Sequence, residues 1–237
     1  LDALVFIKEK GFKINNIVDI GSLYGYFSKV CESIFSDAKI YAVEPNYESF
    51  KILLENSNYN KNNVNNIECL FLAISDQDQS NYKIFYGFDF LNLTLKNLIS
   101  FSLKNVAKFI LRRSNSPLLK IWKLKEESLS SFCKNRNFSP DLIKIDVEGR
   151  QAQIIPPAYK FILETKPIIL LEFDSLEKLK VFNTSNESII KPLLENGYKL
   201  FWGEHRKERC EFNEVTLNDL NQKTINIERD GLGVLLP

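Results

Sequence analysis

The segment Asp19-Ile20-Gly21-Ser22-Leu23-Tyr24-Gly25 places an acid and two glycines where a β-branched run gives way to a helix-period stretch. Glycines at such a turn let the backbone bend tightly and approach a ligand with no Cβ in the way. The spacing selects the ligand. A pyrophosphate-binding turn needs G-x-G-x-x-G, and a triphosphate loop needs G-x-x-x-x-G-K-[ST]. This turn is D-x-G-x-x-x-G. An acid ahead of the glycines suits a ligand with an ammonium group and no phosphate, as at the methionine end of S-adenosylmethionine. Glu44 closes the next β-branched run, where a carboxylate can accept both hydroxyls of a ribose. The bland alternative makes Gly21 and Gly25 plain turn glycines and Glu44 a helix-start charge; the placement between strand and helix favours the nucleotide-type site.

Further acids fall at strand ends. Asp19, Asp146 and Glu172 each close an apolar run, and open parallel sheets bind ligands beyond those ends. Asp146 is the first candidate for an acceptor-side acid or base, and Glu148 the second. Lys144 stands two residues before Asp146 and so shares its face. A buried lysine needs an acid partner, which leaves a structural ion pair as an equal reading of Asp146. Glu148 opens a helix, where a carboxylate is favoured whatever its function. The lone histidine, His205, lies in a mixed-charge run that reads as a solvated loop more than as a base. One histidine and four scattered cysteines without Cys-x-x-Cys leave little room for a metal site or a Ser-His-Asp mechanism, and they suit a reduced, cytoplasmic setting.

The elements that position these residues alternate between periods of two and 3.6. Strand-like runs at Ile17–Ile20, Lys39–Glu44, Glu68–Ile74, Leu142–Val147 and Ile168–Phe173 are separated by helical stripes such as Phe27, Val30, Cys31, Ile34 and Phe35. Pro156-Pro157 interrupts the helix after the fourth strand and predicts a kink or restart there. Thr184-Ser185-Asn186-Glu187 has capping-box spacing, and Gly197 ends the helix that follows. Tyr198–Trp202 and Gly233–Leu236 read as late strands. Such βα repeats predict a parallel sheet with helices on both faces. The length fits one domain, residues 1–237, with an insertion at about 88–125. The opening Leu1-Asp2-Ala3-Leu4 lacks the pattern of a secretory signal, and no apolar run is long enough for a membrane span.

The insertion holds eight Lys or Arg against the single acid Asp89, a net +7 in a chain whose total is +1, so the remainder carries −6. Leu95, Leu98, Ile99, Leu103, Val106 and Ile110 form a helical stripe, joined by Phe101, Phe109, Ile121 and Trp122. A basic amphipathic segment can pack on the core, cover an anionic substrate or lie on a membrane surface. No aromatic–basic RNA motif is present, so nucleic acid is not expected as a partner.

Taken together, Asp19-Ile20-Gly21-(x3)-Gly25-Tyr26-Phe27-Ser28, Ala42-Val43-Glu44-Pro45-Asn46, Ala73-Ile74-Ser75-Asp76, Leu142-Ile143-Lys144-Ile145-Asp146-Val147-Glu148-Gly149 and Lys166-Pro167-Ile168-Ile169-Leu170-Leu171-Glu172 resemble the FkbM family of methyltransferases. The resemblance implies a Rossmann-like class I methyltransferase, an α/β fold with a mostly parallel seven-stranded sheet whose first strand lies beside the fourth. It implies S-adenosylmethionine as cofactor. Asp19, Gly21 and Gly25 would then meet the methionine end, Glu44-Pro45-Asn46 the ribose, and Ala73 to Asp76 the adenine edge. The usual acceptor is a hydroxyl of a small molecule or glycan, and an anionic or lipid-linked one suits the basic insertion. Ser22-Leu23 and Arg150-Gln151 depart from the family's common Ala-Asn and Ala-Glu. A nicotinamide-dependent oxidoreductase and a non-catalytic nucleotide-binding module are the competing readings; the missing third glycine argues against the first, and the retained acids against the second.

Overall fold

In the computed structural model, residues 1–58, 66–86, 89–91, 119–204 and 210–237 are described. The principal sheet contains β1 (Asn16–Ile20), β2 (Lys39–Glu44), β3 (Ile67–Phe71), β8 (Leu142–Ile145), β9 (Ile168–Phe173), β10 (Lys199–Gly203), β11 (Asn213–Val215) and β12 (Gly231–Leu236). Their order is β11-β10-β12-β9-β8-β1-β2-β3. The five strands from β9 to β3 are parallel, whereas β12 is antiparallel to both β9 and β10. The first strand lies beside the fourth of the expected βα series, as the resemblance implies. The expected count of seven is exceeded by β11, a three-residue antiparallel edge strand on β10.

Helices α1 (Asp2–Glu9), α2 (Tyr26–Ile34) and α3 (Tyr47–Asn58) cover one face, where Leu4, Ile7, Cys31 and Leu53 pack on Ile17, Ile40 and Leu142. The other face meets α4 (Leu129–Asn135), α5 (Gln151–Ile154), α6 (Tyr159–Thr165), α7 (Leu176–Lys180), α8 (Asn186–Glu195) and α9 (Leu217–Asn221). Full burial of a large apolar side chain contributes about 1.5–3 kcal/mol, and Phe132, Phe173, Ile143 and Leu193 on this face are fully buried. Pro156 and Pro157 do interrupt the helix. A 3₁₀ turn, Pro156–Ala158, separates α5 from α6, since a proline nitrogen cannot donate and its ring clashes with the preceding turn. Among the described residues no helix is long and apolar enough to cross a membrane.

Three expectations change in detail. The run Glu68–Ile74 divides at Leu72, and β4 (Ala73–Ser75) leaves to join a second sheet. That sheet, ordered β4-β7-β5-β6, also holds β5 (Gln79–Tyr86), β6 (Asp89–Leu91) and β7 (Leu119–Ser128). Both ends of the supposed helical insertion are therefore strands, and Ile121 and Trp122 lie in β7 because they pair with Ile84 and Lys83. The stripe from Leu95 to Ile110 lies outside the described residues. At α8 the cap is Ser185, whose hydroxyl accepts from the Ser188 N–H, and the reciprocal capping box occurs at Thr216 and Asp219.

Strand β8 stops at Ile145, and the chain then turns through two left-handed residues, Glu148 (φ +53°) and Gly149 (φ +90°). Gly21 lies against this turn at φ +79°, and a Cβ there would stand 1.9 Å from the Asp146 carbonyl oxygen. Gly21→Ala should therefore destabilise the fold by about 3 kcal/mol or more, combining left-handed strain with a backbone overlap. Gly197→Ala, at φ +97° with nothing within 4 Å of the new Cβ, should lose only the strain, about 1 kcal/mol. Urea denaturation of the two variants compares them; equal losses contradict the packing role of Gly21.

Candidate active site

The turn after β1 is shaped by backbone contacts to β2. Gly21 and Ser22 both donate N–H bonds of 3.0 Å to the Val43 carbonyl, and the Ser22 hydroxyl donates to the Asp19 carbonyl at 2.7 Å. Leu23 takes a left-handed φ of +50°. Its N–H donates to one Glu44 oxygen at 2.8 Å, while the other Glu44 oxygen accepts the Asn46 N–H at 2.8 Å. One carboxylate thus clasps the loops after β1 and β2. Burial pushes the Glu44 carboxyl up to about 7, against the two N–H bonds that favour its charged form. Asn46 is buried, and its side-chain oxygen accepts from Glu48 and Ser49 at the start of α3.

Beneath this turn lies a buried charge network. Lys144 of β8 sits level with Asp19 of β1. Its ammonium stands 3.2 Å from Asp19 and 3.3 Å from Asp146, and it donates to the Gly21 carbonyl at 2.8 Å. Burial opposes the Lys144 charge, yet the two carboxylates outweigh it and hold its pKa above the ordinary value. Asp19 has no exposed surface, and its second oxygen accepts the Ser28 hydroxyl at 2.7 Å.

Ile145 pairs with Leu171, so the next residues, Asp146 and Glu172, stand side by side on adjacent strands. Their carboxyl groups hydrogen-bond. Burial first, and then Asp146 with the charges of Asp174 and Glu148, pushes the Glu172 carboxyl well up and keeps it protonated. Glu148 is exposed and pairs with Lys178, which also contacts Asp174 at 2.6 Å. Asp174 in turn accepts the Gly149 N–H at 2.6 Å.

Two cavities flank this network. One of about 330 Å³ is lined by Glu44, Pro45, Ala73, Ile74, Glu148 and Arg150. The other, of about 350 Å³, is lined by Tyr24, Tyr26, Phe27 and Leu4 on the α1–α2 face. Gly21, Leu23, Asp146 and Glu172 line both and form their common wall. The structure thus brings Gly21, Glu44, Pro45, Ala73, Ile74, Asp146 and Glu148 together. Asp19, Gly25, Asn46, Ser75 and Asp76 do not line either cavity. Gly25 makes room for Leu53, Ser75 bonds within its own turn, and Asp76 faces solvent. The residue that sequence reasoning placed at the edge without a role is Glu172. Its signal is an acid ending an apolar strand level with Asp146. His205 lies outside the described residues.

Folding raises the Glu44 pKa from the ordinary 4.5 to about 7, so between those values the folded chain keeps a proton that the unfolded chain has released. The stability this contributes is full below pH 4.5 and is lost as pH rises to 7. Relative to Glu44→Gln, the wild type should therefore lose up to about 3 kcal/mol between pH 5 and pH 8. Parallel Tm measurements on both proteins check this; a difference independent of pH contradicts it.

No curated protein sequence matches the chain. A solved methyltransferase FkbM from Methylobacillus flagellatus KT superposes with a TM-score of 0.55 at 12% identity, covering 93% of this chain and 43% of that one. The chain thus spans less than half the length of that relative. A precorrin-6y C5,15-methyltransferase from Geobacter metallireducens GS-15 aligns with a TM-score of 0.44 and 12% identity, over 99% of this chain and 86% of that one. The first superposition shows a shared class I methyltransferase fold. The family model described as Methyltransferase FkbM domain matches residues 19–200. With most of its length matched, from the buried Asp19 to the start of β10, this chain belongs to the FkbM methyltransferase family.

Proposed function

We propose that the chain is an S-adenosylmethionine-dependent O-methyltransferase acting on a hydroxyl of a sugar, a glycoconjugate precursor or a natural product. The observation that carries this reading is the carboxyl-lined wall shared by two cavities, with Glu44 on one side of it. The donor set suits the cofactor. Acids dominate the first cavity, with Glu44, Asp146, Glu148 and Glu172 against Arg150. That balance repels a pyrophosphate and attracts a sulfonium or ammonium. Glu44 would accept ribose hydroxyls on the lone pairs its two N–H bonds leave, and Ala73 and Ile74 would face the purine. Gly21 and Leu23 would meet the methionine end. Asp19 serves through Lys144, because it is sealed from both cavities.

S-adenosylmethionine supplies a methyl group already activated on sulfur, so the protein's tasks are alignment and proton removal. Asp146 is placed for the second task. Its side chain is 40% exposed on the shared wall, and its charge is maintained by Lys144 while Glu172 holds the proton between them. A carboxylate near a bound hydroxyl accelerates its attack by general-base catalysis. Glu148 lies in the left-handed turn ahead of α5 and is turned to Lys178.

S-adenosylhomocysteine at ~100 times its Kd should stabilise the fold by roughly 2.7 kcal/mol, and NAD should not. Differential scanning fluorimetry checks both; a shift with NAD alone removes the cofactor assignment. Asp146→Asn should keep most of the stability, because Lys144 retains Asp19, and turnover should fall about 10²-fold. Asp19→Asn should instead destabilise by about 3–5 kcal/mol by leaving a buried ammonium short of its partner. Tm and labelled-methyl transfer on the same preparations separate the two, and wild-type turnover in Asp146→Asn ends the general-base assignment.

A further inference from the structure

β8 and β9 are parallel neighbours in which Ile145 pairs with Leu171. Asp146 and Glu172 follow at one level on strands about 4.8 Å apart, and their carboxyl groups hydrogen-bond. Such a bond needs a proton on one of the two, because a pair of carboxylates offers only acceptors. Both residues line both cavities.

The other acids of this edge have partners of a different kind. Asp19 is held by Lys144 and the Ser28 hydroxyl, and Glu44 by the N–H groups of Leu23 and Asn46. Asp174 and Glu148 share Lys178. Those partners are fixed parts of the chain. The partner that joins Asp146 to Glu172 is a proton, which can leave and return.

We propose that Asp146 and Glu172 are a one-proton pair that answers the charge of the methyl donor. The proton leaves when a sulfonium enters the first cavity, and the acceptor's proton replaces it when the methyl group is transferred. The proposal rests on the methyl-donor reading above and makes Glu172 the second member of its base. In the transfer the acceptor oxygen bonds to the methyl carbon, and the electron pair of the carbon–sulfur bond stays on sulfur. The hydroxyl proton passes to the pair. The sulfonium charge disappears in the same step, so it no longer opposes the returned proton.

The magnitude is sufficient. At roughly 6 Å, the reach across a cavity of about 330 Å³, a unit positive charge weakens proton binding about a hundredfold at an effective dielectric of about 20. Burial, Asp146 and the charges of Asp174 and Glu148 hold the Glu172 carboxyl well above the ordinary range. The loss therefore brings its proton release down toward neutral pH. Among the described residues, the groups facing the pair are Lys144 from β8, and Glu148 and Arg150 from the turn into α5. Asp174 and Lys178 face it from the end of β9 and from α7, and Tyr24 and Tyr26 across the second cavity. β12 sets Leu232 opposite Glu172, and Glu44 lines the far side of the first cavity. All of these are the same whichever ligand is bound, so the difference between S-adenosylmethionine and S-adenosylhomocysteine isolates the sulfonium.

Isothermal titration calorimetry of the whole chain, in paired buffers of different ionisation enthalpy across about pH 6 to 9, counts the protons each ligand releases. S-adenosylmethionine should release up to about 0.8 proton more than S-adenosylhomocysteine, the yield of a hundredfold change in proton affinity. Glu172→Gln keeps a donor toward Asp146 but no titrating proton, and it should abolish that excess while both ligands still bind. Isotope-edited infrared difference spectra of the wild type provide a second reading. The carbonyl band of a protonated glutamate should fade with S-adenosylmethionine and persist with S-adenosylhomocysteine. Equal proton counts at every pH, an excess that survives in Glu172→Gln, or a glutamate band indifferent to S-adenosylmethionine overturns the pair and leaves the donor reading standing. Failure of both ligands to bind removes the donor reading and the pair's response with it.

Discussion

The ammonium of Lys144 lies at the centre of the sheet, and its desolvation has to be compensated on every side. An unpaired charge in that position would cost several kcal/mol. The structure answers with Asp19 on the neighbouring strand, Asp146 two residues along, and the Gly21 carbonyl above. Each partner fixes one element. Asp19 sets the register of β1 against β8, Gly21 brings the first loop down onto the second, and Asp146 is held at the mouth of both cavities. The absence of a Cβ at Gly21 and the charge of Asp19 are thus parts of one constraint.

Lys144 is shared between Asp19 and Asp146, and Glu172 stands against Asp146 with Asp174 and Glu148 nearby. Two carboxyl groups that touch in a half-dry wall cannot both ionise cheaply, so the more buried one keeps its proton. The result is a neutral Glu172 carboxyl beside Asp146 on the wall common to both cavities. Glu44 repeats the device in milder form, where burial and backbone N–H groups pull in opposite directions. Among the described residues the site's electrostatics are therefore set by what each acid is bonded to.

Local pattern made much of this legible. The β-branched runs, the glycine turn and the acid ending β2 follow from period and spacing, and so does the ion pair of Lys144, because alternation in a strand puts residues 144 and 146 on one face. Partners brought by long-range pairing were not legible. The second sheet arises from β5 meeting β7 across some 40 residues, and nothing in the period of Lys120–Lys125 distinguishes that strand from a helix flank. Glu172 gains its role from standing beside Asp146, a register that no single segment encodes. The complete burial of Asp19 is a property of the packing around Lys144, which residue type and spacing do not encode. The cap at α8 moved by one residue because Thr184 and Ser185 are both competent and the surrounding contacts choose between them.

The two departures from the family's common residues fall on different sides of this architecture. Ser22 replaces an alanine, and its hydroxyl is absorbed by the Asp19 carbonyl. Leu23 donates its backbone N–H to Glu44 and lines both cavities. The loop after β1 is thus held largely through backbone groups. Beyond β8, Asp146, Glu148 and Arg150 line the first cavity. Arg150 lines the first cavity and bonds to Gln153 at 2.9 Å, while the Gln151 amide is buried with no partner among the described residues. A buried, unsatisfied amide is costly and survives where something else requires it. A substitution on this side of β8 therefore changes the groups that line the first cavity, whereas one in the loop after β1 leaves the backbone bonds to Val43 and Glu44 in place.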